Sequence, residues 1–431
     1  MKIYRFKKIP VTLLGSVGLL LLLGAGPSAK IDPEIPDISR RINEFTRDLL
    51  KHDADSKNAP DNSVLSPQSI FHGLAMSYIA SGGETGKELA DVCHFPDNKK
   101  LLLQSLTDLR KQLQETAKKK RIDVSIANSL WMDETYAKFS DEYIDEIQGT
   151  FGASLYQIKF AQKIQACKYI NRWISDKTHG KIQKSVSPED FNSRSRPGVI
   201  DEPGLVSVNA VYFKADWGSQ FDKSSTRKMP FHLPDSKTEE AVMMHQCSVL
   251  PYSENDQVKF LEIPYIDGAY SMYVILPKKV ISIRELTAII NTGMIVDLKR
   301  NAFKREVDVL LPKFEITSRL GVKSVLSEMG VKSAFDNQKA DFDKMIVKKP
   351  GAFRIYLSEI YHDAWIDVHE EGTEAAAATT TVHYSLGCSA PDILPPEQFH
   401  ADHPFMFMIV HNPSRSILFA GWISDPAKLT Q

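Results

Sequence analysis

The chain is poor in cysteine. Four in 431 residues is far below the density of a disulfide-stapled scaffold. Cys93, Cys167, Cys247 and Cys388 form no Cys-x-x-Cys pair, so no zinc or dithiol motif is expected; the first three read as buried structural thiols. There is no excess of one charge either. With 53 Lys+Arg against 54 Asp+Glu, no general electrostatic attraction for nucleic acid arises. The apolar stretch Val11–Leu23 has 13 residues, short of the ~20 that span a bilayer as a helix. No N-glycosylation sequon occurs, since Asn412-Pro413-Ser414 is disqualified by its proline, which is compatible with a bacterial envelope. Gly-x-Ser-x-Gly, P-loop, dinucleotide-fingerprint and His-Glu-x-x-His patterns are all missing. His369-Glu370-Glu371 leads into Gly372-Thr373, so it is no zinc helix. His400 and His403 flank Asp402 with ligand-like spacing, but a surface loop before Pro404 accounts for it better. No metal and no cofactor is expected. A 42% hydrophobic and 25% charged composition leaves a large soluble globular protein.

The N-terminus is informative. Lys2, Arg5, Lys7 and Lys8 precede the apolar stretch with its five consecutive leucines, Leu19–Leu23. Gly24, Ala25, Gly26, Ser28 and Ala29 follow. A basic start, a short apolar core and small residues make residues 1–29 a secretory signal peptide, cleaved between Gly26 and Ala29. Its removal takes the formal charge from −1 to near −5. The expected location is secreted, or periplasmic in a bacterium.

Past the leader, no repeat or long linker divides residues 30–431. Asp37 is placed to cap a helix bearing Ile38, Ile42, Phe45 and Leu49 at helical period. Ser66 fits an N-cap and Pro67 the first turn of a helix running to Ile79. Thr85-Gly-Lys-Glu88 has capping-box spacing. Ile164–Gly180 reads as a helix with Ile170, Trp173 and Ile174 inward. Val206–Phe213 is too β-branched and aromatic for anything but a strand. Tyr270–Leu276 and Val307–Leu311 are strands stopped by Pro277 and Pro312. Phe405–Val410 and Ile417–Ile423 flank Asn412-Pro413-Ser414 as a hairpin. Helices crowd the first half and strands the second, an α+β pattern. Lys118-Lys119-Lys120-Arg121 is the one dense basic run; a solvated helix end and a polyanion site both fit it.

The odd segment is Glu370-Glu-Gly-Thr-Glu-Ala-Ala-Ala-Ala-Thr-Thr-Thr381. A flexible linker favours Gly, Ser and Pro, whereas threonine is β-branched and prefers strands. Thr373, Ala375, Ala377, Thr379 and Thr381 alternate, so in a strand they share one small, uncharged face. Such a face can enter a preformed sheet without burying a charge.

These features resemble the serpin family. Asn62–Ile70 resembles its N-x-x-x-S-P-x-S-I element, Asn171–Ile182 its N-x-W-V-x-x-x-T-x-G-K-I helix, and Asn209–Trp217 with Phe221 its N-A-x-Y-F-K-x-x-W-x-x-x-F strand. Val242-Met243-Met244, His403-Pro404-Phe405 and Ile417–Gly421 also match. The resemblance implies an α+β serpin fold: one domain over 30–431, three β-sheets, eight or nine helices, and an exposed reactive loop at about 370–396. It implies a suicide inhibitor of a serine protease, monomeric, itself no enzyme, able to polymerise if the loop inserts between molecules. A non-inhibitory carrier, chaperone or storage role and a cysteine protease target are the alternatives.

By the same resemblance, Glu370, Gly372, Thr373, Glu374, Ala375, Ala376, Ala377 and Ala378 form the hinge. Counting Glu370 as first, the seventeenth residue is Leu386, so the scissile bond is Leu386–Gly387, with Tyr384 as the alternative. Either residue suits the hydrophobic primary pocket of a chymotrypsin- or elastase-like enzyme. Ser66, Ser69, Asn209 and His362 match a polar cluster beneath the large sheet. Trp217, Lys313 and Glu370 match the group at the sheet's top. Apart from the resemblance, Lys118, Lys119, Lys120 and Arg121 read first as a solvated helix end, with a sulfated polysaccharide site as the alternative. Three features depart from the family pattern: the long, proline-rich stretch from Leu386 to Pro404, Cys388 within it, and an apparent insertion at Ser193–Pro203.

Overall fold

The computed structural model describes residues 2–3, 36–56, 59–119, 122–135, 137–191, 204–348, 354–373 and 395–429. Most of the expected leader, the insertion at Ser193–Pro203, Lys120, Arg121, and every loop residue from Glu374 to Leu394 lie outside them. Tyr384, Leu386, Gly387 and Cys388 are therefore outside them too.

Nine α-helices and three sheets are present among the described residues. The helices are α1 (Asp37–Asp55), α2 (Pro67–Ala80), α3 (Gly83–Cys93), α4 (Lys99–Lys119), α5 (Asp141–Phe151), α6 (Lys163–Lys177), α7 (Ile283–Ile289), α8 (Thr292–Arg300) and α9 (Val322–Met329). The seven-stranded sheet runs β1 (Lys2–Ile3), β5 (Ser154–Ile158), β3 (Ile122–Asp133), β6 (Leu205–Asp216), β15 (Gly372–Thr373), β14 (Leu357–His369), β12 (Phe314–Gly321). The nine-stranded sheet runs β16 (Glu397–His400), β11 (Phe303–Pro312), β8 (Thr238–Glu254), β9 (Val258–Pro264), β10 (Tyr270–Pro277), β17 (Phe405–His411), β18 (Ser416–Ile423), β2 (Asn62–Leu65), with β7 (Arg227–His232) on β8. A third pairs β4 (Ala137–Phe139) with β13 (Ile346–Lys348).

The two large sheets share a core. Phe213 of β6 meets Phe419 of β18 at 6.0 Å between ring centroids, and Phe314 of β12 meets Phe407 of β17 at 5.2 Å. Helix α2 lies in this core with every residue buried, as its sequence requires: Ile70, Phe71, Leu74, Met76 and Ile79 leave no polar face. Ser66 caps it, its Oγ accepting from the Ser69 amide, and Pro67 takes the first turn. On the opposite face of the seven-stranded sheet, α6 covers a second apolar cluster that includes Trp173, Tyr212, Tyr361 and Trp365.

Three local expectations are corrected. Asp37 is the first helical residue rather than the cap; its carboxylate pairs with Arg40 and Arg41 one turn on. Helix α3 starts at Gly83, so the Thr85–Glu88 box lies inside it. Glu88 instead accepts from the Lys332 and Ser333 amides at 2.8 and 2.6 Å. Cys93 and Cys167 are buried, but Cys247 is exposed on β8, its Sγ 3.7 Å from Glu306 on the neighbouring strand.

Candidate functional site

The seven-stranded sheet contains a seam. β6 and β14 are parallel and pair directly from Leu205 and Leu357 up to Tyr212 and Trp365. Above that point they part, and β15 stands between them. Thr373 faces Ala215 on one side and Val368 on the other; Gly372 faces Asp216 and His369. β15 runs antiparallel to both neighbours. The start of the expected hinge is thus already a strand of the sheet.

What holds it is specific. The Trp217 and Phe221 amides donate to the Glu371 and Glu370 carbonyls, both at 2.9 Å, and the Trp217 indole donates to the His369 carbonyl. Thr373 is fully buried, with its hydroxyl 2.8 Å from that of Tyr265, whose ring stacks on Trp217 at 4.5 Å. Gly372 is required by close approach: a Cβ there would lie 2.3 Å from the Ala215 carbonyl oxygen and 2.6 Å from the Asp216 Cα. The Glu370 carboxylate accepts from Lys313 Nζ at 3.0 Å and Thr226 Oγ1 at 2.9 Å. Burial raises its pKa, but its own backbone amide, Lys313 and Thr226 outweigh that and hold it below the usual glutamate value. The structure therefore gathers Trp217, Lys313, Glu370, Gly372 and Thr373 at one end of the seam.

The four residues expected beneath the sheet's centre also converge. The Ser66 amide donates to His362 Nε2 at 2.9 Å. Ser69 Oγ and Asn209 Nδ2 both donate to Asn128 Oδ1, at 3.0 and 2.7 Å. His362 and Asn209 are paired across the seam, and Asn128 lies opposite Asn209 on β3. His362 is fully buried, which lowers its pKa to about 3, so its imidazole is neutral. Three buried polar atoms here lack partners among the described residues: Ser207 Oγ, Asn209 Oδ1 and His362 Nδ1. In a finished core such groups are hydrogen-bonded.

Above the seam, the chain that follows α6 is fastened to β14 and β12. Ser185 Oγ donates to Asp363 Oδ2 at 2.6 Å, Arg319 pairs with Asp190 at 2.9 Å, and Lys181 Nζ sits 4.3 Å over the Trp365 ring. Burial raises the Asp363 pKa to about 6 against the bond from Ser185.

Asn128, Ser207, Tyr265, Ser185 and Asp363 were not singled out from sequence. Asn128 carried a signal: it interrupts the apolar alternation Ile126, Leu130, Met132 on the inner face of β3. The others depend on contacts between distant segments. His400 and His403 do not converge. His400 Nε2 bonds Asp308, whereas His403 bonds Asp402 and the Pro277 carbonyl. Among the described residues no group of three or more His, Cys, Asp or Glu could hold a metal. Lys118 is exposed near the end of α4.

A model of the serpin (serine protease inhibitor) family matches residues 40–426, and the chain belongs to that family. It is 32% identical over 400 residues to a leukocyte elastase inhibitor of Xenopus tropicalis, covering 90% of this chain and all of the relative. It is 33% identical to a serpin-like protein of Thermococcus kodakarensis, covering 89% of this chain and 85% of that one. Among solved structures, Serpin48 of the insect Tenebrio molitor superposes with a TM-score of 0.77 at 28% identity, covering 90% of this chain and 98% of that one. The native thermophilic serpin tengpin gives 0.77 at 26% identity, covering 93% and 96%.

Proposed function

We propose that this chain is a secreted suicide inhibitor of a serine endopeptidase with a hydrophobic primary pocket. The reactive loop after Thr373 is offered as substrate, and the protease's serine attacks the Leu386–Gly387 carbonyl to form an acyl-enzyme. The cut loop then enters the seam and carries the protease along. About 15 residues at ~3.3 Å each correspond to roughly 50 Å of travel. No residue of this chain acts as a catalyst; the nucleophile is the protease's. Residues 1–29 are removed on export, and the mature protein is a monomer. It polymerises when one molecule's loop fills another's seam. A sulfated polysaccharide on Lys118, Lys119, Lys120 and Arg121 would be an accessory partner.

The observation that carries this reading is β15, paired on both sides by β6 and β14. Extending its register sets Ala375, Ala377, Thr379 and Thr381 opposite Phe213, Val211, Asn209 and Ser207 of β6. Across the seam the same residues meet Ile366, Ala364, His362 and Ile360 of β14. The small face of the loop would enter the core, and the Thr379 and Thr381 hydroxyls would reach Asn209 Oδ1, His362 Nδ1 and Ser207 Oγ, which lack partners among the described residues. Insertion also replaces one parallel pairing by two antiparallel ladders, the slightly more stable kind per residue. A dozen added hydrogen bonds at ~1 kcal/mol net supply on the order of 10 kcal/mol, enough to distort a protease.

The test is incubation of the mature protein with chymotrypsin, elastase, trypsin and papain, followed by denaturing gels. We expect a covalent complex at the summed mass with chymotrypsin or elastase, and mass spectrometry of the released peptide to begin at Gly387. Clean cleavage by every enzyme without a complex would sink the inhibitory reading in favour of a carrier or storage role. A complex with papain alone would move the target to cysteine proteases.

A further inference from the structure

β16 is the first described strand after the loop, and so its far anchor. It has four residues, Glu397–His400, and lies at the edge of its sheet among the described residues, paired in parallel with β11 alone. Parallel pairing is slightly the weaker kind per residue, and an edge strand is held from one side only. Contacts around β16 add to its attachment. Arg305 Nη1 donates to Glu397 at 2.8 Å, Lys259 Nζ to the Gln398 carbonyl at 2.8 Å, and the Ala401 amide to the Leu310 carbonyl at 2.9 Å.

A fourth fastening spans three strands. Asp308 of β11 meets His245 Nε2 of β8 at 2.6 Å on one carboxylate oxygen and His400 Nε2 of β16 at 2.9 Å on the other. Both histidines stand opposite Leu310, so the register places one on either side of the carboxylate. Their side chains are 37% and 30% exposed, so protons reach both. Burial raises the Asp308 pKa, but the bonds from His400 and His245 outweigh it and hold the carboxyl below the usual aspartate value. An ionised carboxylate only accepts, so each Nε2 carries a hydrogen. Asp222, before β7, lies near His245; Glu306 and Cys247 continue the same face, 3.7 Å from each other. Asp402, two residues past His400, is taken by His403. Of the cations nearby, Arg305 and Lys259 are bound to β16 itself.

We propose that His245, Asp308 and His400 form a proton-sensitive clasp that grips β16 harder at mildly acidic than at alkaline pH. Imidazole ordinarily titrates near pH 6.5, and the bond of a protonated ring to a carboxylate is charge-assisted. Grip is therefore gained as pH falls through that range. It is lost again only when Asp308 takes a proton, below the usual aspartate range. One consequence rests on the inhibitory reading above. While β16 holds, the uncut loop is pinned at both ends, by β15 and by β16. Release of β16 gives it the slack to enter the seam without being cut, so mild acid keeps it presented to a protease.

Amide exchange of the full chain over residues 397–401, read by mass spectrometry and corrected for the pH dependence of the chemical step, tests the clasp without any protease. Protection should be about two- to fivefold higher at pH 6 than at pH 8, the scale of a solvent-accessible ion pair. His245→Gln with His400→Gln keeps two donors for Asp308 but takes up no proton. It should leave protection at pH 8 near that of the wild type and flatten the profile. In the wild type, added salt should lower protection more at pH 6 than at pH 8, because the Arg305–Glu397 pair is screened alike at both. That comparison needs no variant. Wild-type protection that is flat or falls from pH 8 to pH 6 would overturn the clasp. So would a rise that persists in the double variant, or an equal salt effect at the two pH values. The consequence for the loop is read separately, as trapping capacity kept during storage without protease. It should decay more slowly at pH 6 than at pH 8 in the wild type and alike at both in the double variant. Equal decay in the wild type would cut β16 off from control of the loop. A chain that traps no protease at all would end the inhibitory reading and leave the exchange result to decide the clasp.

Discussion

At the scale of single residues, Gly372 decides whether the hinge can lie between β6 and β14. Its φ is not the issue. The Ala215 carbonyl and Asp216 Cα occupy the place of a side chain, and both are backbone atoms that cannot turn aside. Gly372→Ala should therefore expel β15. The Thr373 hydroxyl would leave Tyr265, and the Trp217–Tyr265 stack would loosen. Amide exchange over residues 215–217 and 372–373 should rise at least about tenfold, with a change in tryptophan emission. Exchange equal to wild type would show that β15 tolerates the methyl group. Glu370 works beside it as an anchor: a buried carboxylate with two donors is worth keeping charged, whereas the same group unpaired would be a liability.

At the scale of elements, the seam is a template with one orientation and one register. Any strand that extends β15 must donate and accept on both edges, since it becomes central rather than terminal. Proline cannot do this. Ala377→Pro should leave the Leu386–Gly387 bond open to cleavage yet abolish the covalent complex, turning inhibitor into substrate on denaturing gels. A variant that still traps protease as efficiently would show that insertion stops short of Ala377. The chain after α6 lies across this path, fastened by Ser185 to Asp363 and Asp190 to Arg319. The proposed insertion requires these contacts to yield.

At the scale of the molecule, buried ionisable groups set the response to pH. Burial lowers the pKa of His72 and His411 to about 4 and of His362 to about 3, from an ordinary 6.5. Below pH 6.5 the unfolded chain takes up protons these imidazoles refuse, so stability falls as pH drops toward 4. Asp53 and Asp363 oppose this. Burial raises both to about 6 from 3.8, so the folded state takes up their protons first, and their share of stability grows as pH falls from 6 to 4. Three histidines with larger shifts outweigh two aspartates. The melting temperature should fall by several degrees between pH 7 and pH 5, and Asp363→Asn should steepen the fall by removing a compensating group. A melting temperature flat or rising over that interval would contradict this.

Much of this was legible in sequence because it is local. The Ser66-Pro67 start of α2, the β-branched run that becomes β6, and the small alternating face after Glu370 are set by neighbouring residues and by backbone sterics. The motifs also sufficed to bring out the family, and to name Trp217, Lys313, Glu370, Ser66, Ser69, Asn209 and His362 as members of two groups. Capping spacing misled at Asp37, whose carboxylate pairs with Arg40 and Arg41 within its own helix, and at Thr85, where Glu88 is taken by the distant Lys332 and Ser333 amides. What only the tertiary structure decided is how the groups are joined. Asn128 links Ser69 to Asn209, Tyr265 receives Thr373, and Ser185 bonds Asp363, each pairing residues at least 59 positions apart. Spacing along the chain specifies which face a residue shares; only the packed sheets specify which distant residue that face meets.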